Sequence, residues 1–395
     1  MTTNASSRLA PFLQVFGSSL RNNRFPQFKS AFLHGLAAIL GQTRKNLNSD
    51  LALPLLTTAG SPTEPPPLFQ LASGYWISQA IYVAAKLGIA DVLKYGAKSS
   101  NEIALATGAD DNSMSRLMRA LCAVGVFRMN GNGNGTFAIT DLGKPLQSDV
   151  PGSLRAIIVT LGEVHYAAWA HLLASIMTGT AAFPHAFGAK MFDYLGRENE
   201  AGDTFNRAMT DYSALSSCAV LLSYDFSGVR SIVDVGGGCG KLLTSILHMY
   251  PSMRGTLFDM SSVIAAAEES LKEHPTRDRC KMVSGSFLET VPCGFDAYLL
   301  SSVIHDWDDE CAIRILENCR RSMNQQSKVL LVEFVVPAGG QKSFSKLLDL
   351  NMLVMNGGRE RTELEYRMLF DAAGLKMTRI IPTMSPLCVL EAVPK

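Results

Sequence analysis

An apolar strand that runs straight into a glycine turn is the strongest constraint in this chain. Ile232-Val233-Asp234-Val235 leads into Gly236-Gly237-Gly238-Cys239-Gly240, and a helical stretch follows at 242–249. Glycine lets a backbone turn tightly and approach a ligand where a Cβ would collide. Strand, turn and helix in this order belong to an open parallel sheet, whose ligands bind beyond the carboxyl ends of the strands. The dinucleotide fingerprint wants one more glycine, at position 241. Lys241 stands there, which disfavours a pyrophosphate. The next apolar run, 255–258, ends at Asp259, where an acid can accept two ribose hydroxyls. A nucleoside without a pyrophosphate, such as S-adenosylmethionine, fits both observations. A plain strand–helix turn with a capping acid is the alternative.

The alternation continues. Strands are expected at 255–258, 281–283, 296–304 and 328–336, with helices at 263–272 and 308–323, the grammar of a doubly wound α/β sheet. Residues 151–229 read as mostly helical. Between 68 and 150 the pattern is different. A long apolar-periodic stretch (68–93) precedes short helices near 101–104 and 112–121, a Gly-Asn turn (130–135) and a strand (136–140), which together suggest a winged helix. Charge opposes a DNA-binding use of that pattern. The whole chain carries 36 Lys and Arg against 35 Asp and Glu. Residues 86–150 hold seven cations and six acids, and a DNA reader is expected to be more basic.

Residues 1–66 carry six cations and only two acids. Phe28, Phe32, Leu36 and Leu40 recur at helical spacing, and Ser61-Pro62-Thr63-Glu64-Pro65-Pro66-Pro67 reads as a stiff linker. That helix can lie on a membrane surface or cover the chain or its dimer mate; the scattered cations favour the second use. The eight cysteines form no C-x-x-C pair, so they read as reduced thiols. No apolar run reaches the roughly 18–20 residues of a membrane span. A cytoplasmic enzyme without integral membrane contact is expected.

The chemistry is expected at His305. It closes the apolar run 296–304, and Asp308 is placed to cap the next helix. A histidine at a carboxyl strand end, with a pKa near 6.5, is the natural general base at neutral pH. Glu333 lies inside the apolar strand Val329–Val336, where an ionised group needs a partner. Glu360 lies in a glycine-led turn, with a salt bridge to Arg359 or Arg361 as its structural alternative. A histidine flanked by two carboxylates is oriented and held in one tautomer. No cluster of metal-ligand spacing accompanies them, so no metal is expected.

Four stretches, 234–240, 255–259, 305–309 and 357–362, together resemble the metal-independent, S-adenosylmethionine-dependent small-molecule O-methyltransferases of the caffeate, isoflavone and acetylserotonin type. The resemblance implies a C-terminal Rossmann-like class I methyltransferase domain (216–395). Ahead of it would stand a helical, winged-helix-like dimerisation domain (68–215), with 1–67 as an N-terminal extension. It implies an intimate homodimer and a flat aromatic acceptor methylated on a hydroxyl. His305 would be the catalytic base, flanked by Glu333 and Glu360. Gly236, Gly238, Asp259, Ser286, Phe287 and Ser301 would meet the cofactor. Phe205, Met209, Met352 and Asn356 would line the acceptor pocket. Ser286 and Ser301 depart from the family's Asp and Lys. They open a rival: an enzyme that binds the cofactor but catalyses a pericyclic, hydroxylating or decarboxylating step. A winged-helix regulator that senses a nucleoside is a rival of another class.

Overall fold

A computed structural model describes residues 65–130 and 135–395; the helix expected around Phe28–Leu40 lies outside the described residues. Ser73–Ser148 and Ser153–Lys395 form one compact unit, while Pro67–Ala72 and Asp149–Gly152 belong to another.

The first part of the large unit is built from α1 (Gly74–Lys86), α2 (Ser100–Thr107), α3 (Asp111–Ala123) and a small sheet. Polar caps start two of these helices. Ser99 and Glu102 form a capping box on α2, and the Asp110 side chain accepts from the Ser113 amide on α3. Strands β1 (Lys98–Ser99), β2 (Phe127–Asn130) and β3 (Thr136–Ile139) pair in the order β1-β3-β2. Ile103, Met118, Leu121, Phe127 and Phe137 close a core between helices and hairpin. A 25-residue helix, α4 (Asn199–Ser223), then runs through position 215, where the family resemblance implied a domain edge.

The second part is one mixed sheet. It comprises β4 (Ser231–Val235), β5 (Arg254–Asp259), β6 (Cys280–Ser284), β7 (Ala297–Ser301) and β8 (Lys328–Val336). It continues with the short β9 (Arg361–Thr362), β10 (Leu375–Pro382) and β11 (Leu387–Pro394). The order is β6-β5-β4-β7-β8-β11-β10, with β9 beside the end of β8. The strands from β6 across to β8 are parallel; β11 and β10 run antiparallel. Helices α5 (Lys241–Met249), α6 (Ser261–Ser270), α7 (Asp309–Ser322), α8 (Phe344–Met355) and α9 (Glu363–Ala372) complete it. Successive residues of a strand face opposite sides. Val233, Tyr298, Leu300 and Leu331 therefore pack against α7 and α9, and Ile232, Leu299, Leu330 and Val332 pack against α5. The chain order reverses between β4 and β7, so the carboxyl ends of these two strands flank the crevice where such sheets bind ligands.

The five expected strands of this sheet and the helices between them are present, with ends within two residues of those expected except at one place. The expected strand 296–304 stops at Ser301. Ser302 takes φ 53°, and Ile304–Asp306 forms a 3-10 turn. The cause lies on the neighbouring strand. Glu333 Oε1 accepts from the Val303 and Ile304 amides at 3.0 and 2.8 Å, drawing the backbone out of the sheet. All eight cysteines are free thiols. Among the described residues no single helix is long and apolar enough to cross a membrane.

Candidate active site

The break after β7 delivers His305 into the crevice. Its Nδ1 lies 3.0 Å from Glu360 Oε1 and 3.4 Å from Glu333 Oε2. Its Nε2 is 3.7 Å from Asp306 Oδ1. The three expected catalytic residues are thus brought together although they come from three segments. Glu333 is 0% and Glu360 2% exposed. Glu360 is therefore no surface acid. Arg359 pairs instead with Asp309 and Glu365, and Arg361 with Asp309.

Burial opposes a charge on the imidazole, but the carboxylates of Glu333, Asp306 and Glu360 outweigh it and raise the His305 pKa from 6.5 to about 10. Burial and the charge of Glu360 push Glu333 upward as well, against the pull of His305. Imidazole and carboxyl thus compete for one proton. We place it on His305, because Glu333 Oε1 already accepts two backbone N–H groups, which favours the carboxylate. The second oxygens of Glu333 and Glu360 are buried without a hydrogen-bond partner. The three side chains also have ligand atoms within 4.8 Å of one another, the spacing a metal ion could use. The two backbone amides on Glu333 and the contact of Glu360 with Nδ1 give these carboxylates an imidazole-holding use without one.

Several groups that position this cluster left no mark in the sequence. Arg361 is fully buried. It donates to the carbonyls of Ile304 (3.1 Å) and Trp307 (2.8 Å) and to Asp309, and so clamps the turn that carries His305. The Arg359 amide donates to the His305 carbonyl at 2.8 Å. A Cβ on Gly358 would lie 2.1 Å from that same carbonyl oxygen, so only glycine fits. Asn356 Nδ2 donates to Asp306 Oδ1 at 2.6 Å, which ties one expected pocket residue to the cluster. Met352, one helical turn earlier, is buried. Phe205 and Met209 lie half-buried on α4. Tyr212 shares their face of the helix at i+7 and i+3. Burial first, then the charges of Glu360 and Glu333, raise the pKa of Tyr212, so that face looks towards the acids.

The nucleoside end of the crevice is also assembled. Gly236, Gly238 and Gly240 take φ of 72°, 57° and 71°, a region open chiefly to glycine. Gly236 lies under Val303 and Phe287, whose Cγ2 and Cε1 would stand 2.9 and 3.3 Å from an added Cβ. The Phe287 ring meets Trp307 edge-on at 5.8 Å. Asp259 accepts from the Gly238 amide (2.9 Å) and the Met260 amide (2.7 Å), one bond to each carboxylate oxygen. Each oxygen keeps a lone pair for a further donor. Ser286 adjoins Phe287, and Ser301 ends β7 beside the Ser302 turn; both are half-buried. Asp234, beneath the loop, went unassigned in the sequence. It is buried, and desolvation together with Asp259 raises its pKa to about 7.

With this geometry in place, comparison is decisive. Residues 69–149 match the O-methyltransferase dimerisation domain and residues 169–376 the O-methyltransferase domain. This chain belongs to that O-methyltransferase family. The chain is 43% identical over 327 residues to the phenazine O-methyltransferase of Lysobacter antibioticus, covering 83% of this chain and 95% of that one. It is 36% identical over 314 residues to the phenazine-1-carboxylate N-methyltransferase of Pseudomonas aeruginosa, covering 80% and 92%. Its fold matches an O-methyltransferase from neocarzinostatin biosynthesis, crystallised with S-adenosylmethionine and 2-hydroxy-5-methyl naphthoic acid. The TM-score is 0.71 and the identity 32%, covering 81% of this chain and 96% of that one. The methyltransferase uses S-adenosylmethionine, the cofactor of its family. The loop fits it: the missing Cβ of Gly238 faces open space, and Asp259 stands at the end of the adjoining strand.

Proposed function

We propose that this methyltransferase methylates a phenolic hydroxyl of a small aromatic secondary metabolite, with His305 as general base. One observation supports this above the others. Nδ1 of His305 is engaged by Glu360 and Glu333, while Nε2 lies farther from its nearest carboxylate oxygen and can face an acceptor at the switch point. Bound S-adenosylmethionine supplies a methyl group made electrophilic by its sulfonium. Gly236, Gly238 and Asp259 hold its nucleoside, and Ser286, Phe287 and Ser301 border it. Phe205, Met209, Met352 and Asn356 line the acceptor pocket.

Once His305 has given up the proton on Nε2, that nitrogen takes the hydroxyl proton, while Nδ1–H stays hydrogen-bonded to Glu360. The phenol pKa is about 10, and His305 is raised to about 10. Base and acid are matched, so the proton is shared rather than lost to water. The surrounding carboxylates hold the imidazolium that results. Most of the remaining rate comes from alignment, since effective molarities of oriented groups reach about 10⁵–10⁸ M.

We take the working form to be a homodimer, as the dimerisation domain supports. We place it in the cytoplasm, a reducing setting that eight free thiols suit. The test is incubation with methyl-labelled S-adenosylmethionine and a metabolite extract of the source, followed by identification of the labelled product. A methyl ether of a phenol supports the reading. A labelled amine or carbon, or S-adenosylhomocysteine failing to accumulate as a substrate is consumed, overturns it.

A further inference from the structure

The helical segment ahead of α4 contains a device that the mechanism leaves unused. Arg155–Thr160 does not run straight into Tyr166–Trp169 but passes through a π-turn at Leu161–His165. Such turns frequently accompany functional sites. This one is pinned. A Cβ on Gly162 would lie 2.2 Å from the Tyr82 ring, and the Tyr82 hydroxyl donates to Glu163 Oε1 at 2.9 Å. His165 and Trp169 are four residues apart and share a face. Both reach Asn351 on α8: Trp169 Nε1 lies 2.9 Å and His165 Nδ1 3.0 Å from the same Oδ1.

The roles of these atoms follow by elimination. An indole N–H can only donate, so the amide oxygen of Asn351 must face Trp169. That oxygen also meets His165, so the imidazole proton sits on Nδ1. Two groups are left with no hydrogen-bond partner among the described residues: Nε2 of His165, an acceptor, and the amide NH₂ of Asn351, a donor. Asn351 adjoins Met352. It precedes Asn356 by five residues, about 7.5 Å of helix axis, and Asn356 holds Asp306 beside His305.

We infer that His165 and Asn351 select the acceptor, reading a lactam-like edge remote from the methylated hydroxyl. Nε2 receives the edge's N–H or O–H, and the Asn351 amide donates to its carbonyl oxygen or ring nitrogen. This deepens the function proposed above and rests on its small-molecule acceptor pocket. Trp169 acts through Asn351 by fixing which end of the amide is presented.

Two probes of similar shape test it. 6-Hydroxyquinolin-2(1H)-one carries the N–H and carbonyl pair opposite its phenol; 2-naphthol carries neither. Calorimetry on the protein loaded with S-adenosylhomocysteine gives the ratio of their affinities, and a separate turnover assay reports methylation. The lactam is expected to bind about tenfold or more tighter, as two net hydrogen bonds allow. His165→Leu and Asn351→Leu should each bring the ratio down several-fold. Trp169→Phe should do the same by releasing the amide. Using the ratio cancels a general loosening of the pocket. Equal affinities in the wild type, or a ratio that the three substitutions leave unchanged, overturns the inference whether or not either probe is methylated. Selective binding without methylation of either phenol upholds it and counts against the phenolic reading instead.

Discussion

Two histidines, each partly shielded from solvent, have been driven in opposite directions. Burial is the first influence on both, and it lowers the pKa of each. At His165 the partner is the neutral amide of Asn351, so burial wins and the imidazole is held below 6.5. At His305 three carboxylates lie within 4 Å, and they reverse the sign to about 10. The contrast shows that the fold does not set the state of an imidazole; the charge of its partners does. A charged surround makes a proton acceptor for a phenol. A neutral surround leaves a fixed donor–acceptor pattern suited to recognition.

The largest expected effect comes from removing the charged member. His305→Gln should lower turnover by about 10²–10⁴, the usual worth of a general base. Affinity for S-adenosylhomocysteine by calorimetry should stay within about twofold, since Gly238 and Asp259 are untouched. Wild-type turnover after that substitution would remove the base from the mechanism and leave alignment alone.

Changing the partners should move the pH profile. In the wild type, kcat/KM for an un-ionised phenol should rise with pH towards about 10, as His305 loses its proton. Glu333→Gln keeps an oxygen for the Val303 and Ile304 amides but removes a charge that raises the His305 pKa against burial. The rise should then come at lower pH, with a turnover loss of about 10–100-fold as the imidazolium loses its support. An unshifted profile would mean that Glu333 only shapes the turn.

These two tests also separate what the sequence could and could not reveal. Glu333 was legible because an acid inside an apolar strand is anomalous, and the glycine loop because a strand running into glycines leaves few alternatives. The sheet was legible through its strand and helix periods. The break at Ser302 was not, since the apolar run 296–304 continues through it and the cause lies on another strand. Tyr212, Asn351, His165 and Trp169 were hidden for a related reason. Each sits in an ordinary helical pattern, and only tertiary packing brings distant segments together. A π-turn has no period of its own to detect.

Arg361 offers a more modest test of how the charged site is held. Arg361→Met should leave the Trp307 carbonyl without its donor and the Ile304 carbonyl with the Trp307 amide in place of two donors, at about 1–3 kcal/mol for the orphaned buried group. Denaturant unfolding should show that loss. At a temperature where the variant is folded, turnover should fall while cofactor affinity persists, because the clamp bears on the His305 turn and not on the glycine loop. Loss of both together would instead mark Arg361 as part of the general core.

The smallest effect concerns stability, where the two histidines should pull in opposite directions with pH. His305 has a folded pKa above its unfolded value. Its contribution is fully present below pH 6.5 and is lost as pH rises towards about 10. His165 has a folded pKa below 6.5, so its unfolded form binds the proton more readily. Its contribution is present above pH 6.5 and is lost as pH falls below that value. His165→Gln should therefore flatten the fall in Tm on the acid side and leave the alkaline side alone. His305→Gln should flatten the alkaline side. Melting curves across pH 5–10 for the two variants would show either two separate effects or, if both substitutions change the same limb, that the partners named here do not govern these rings.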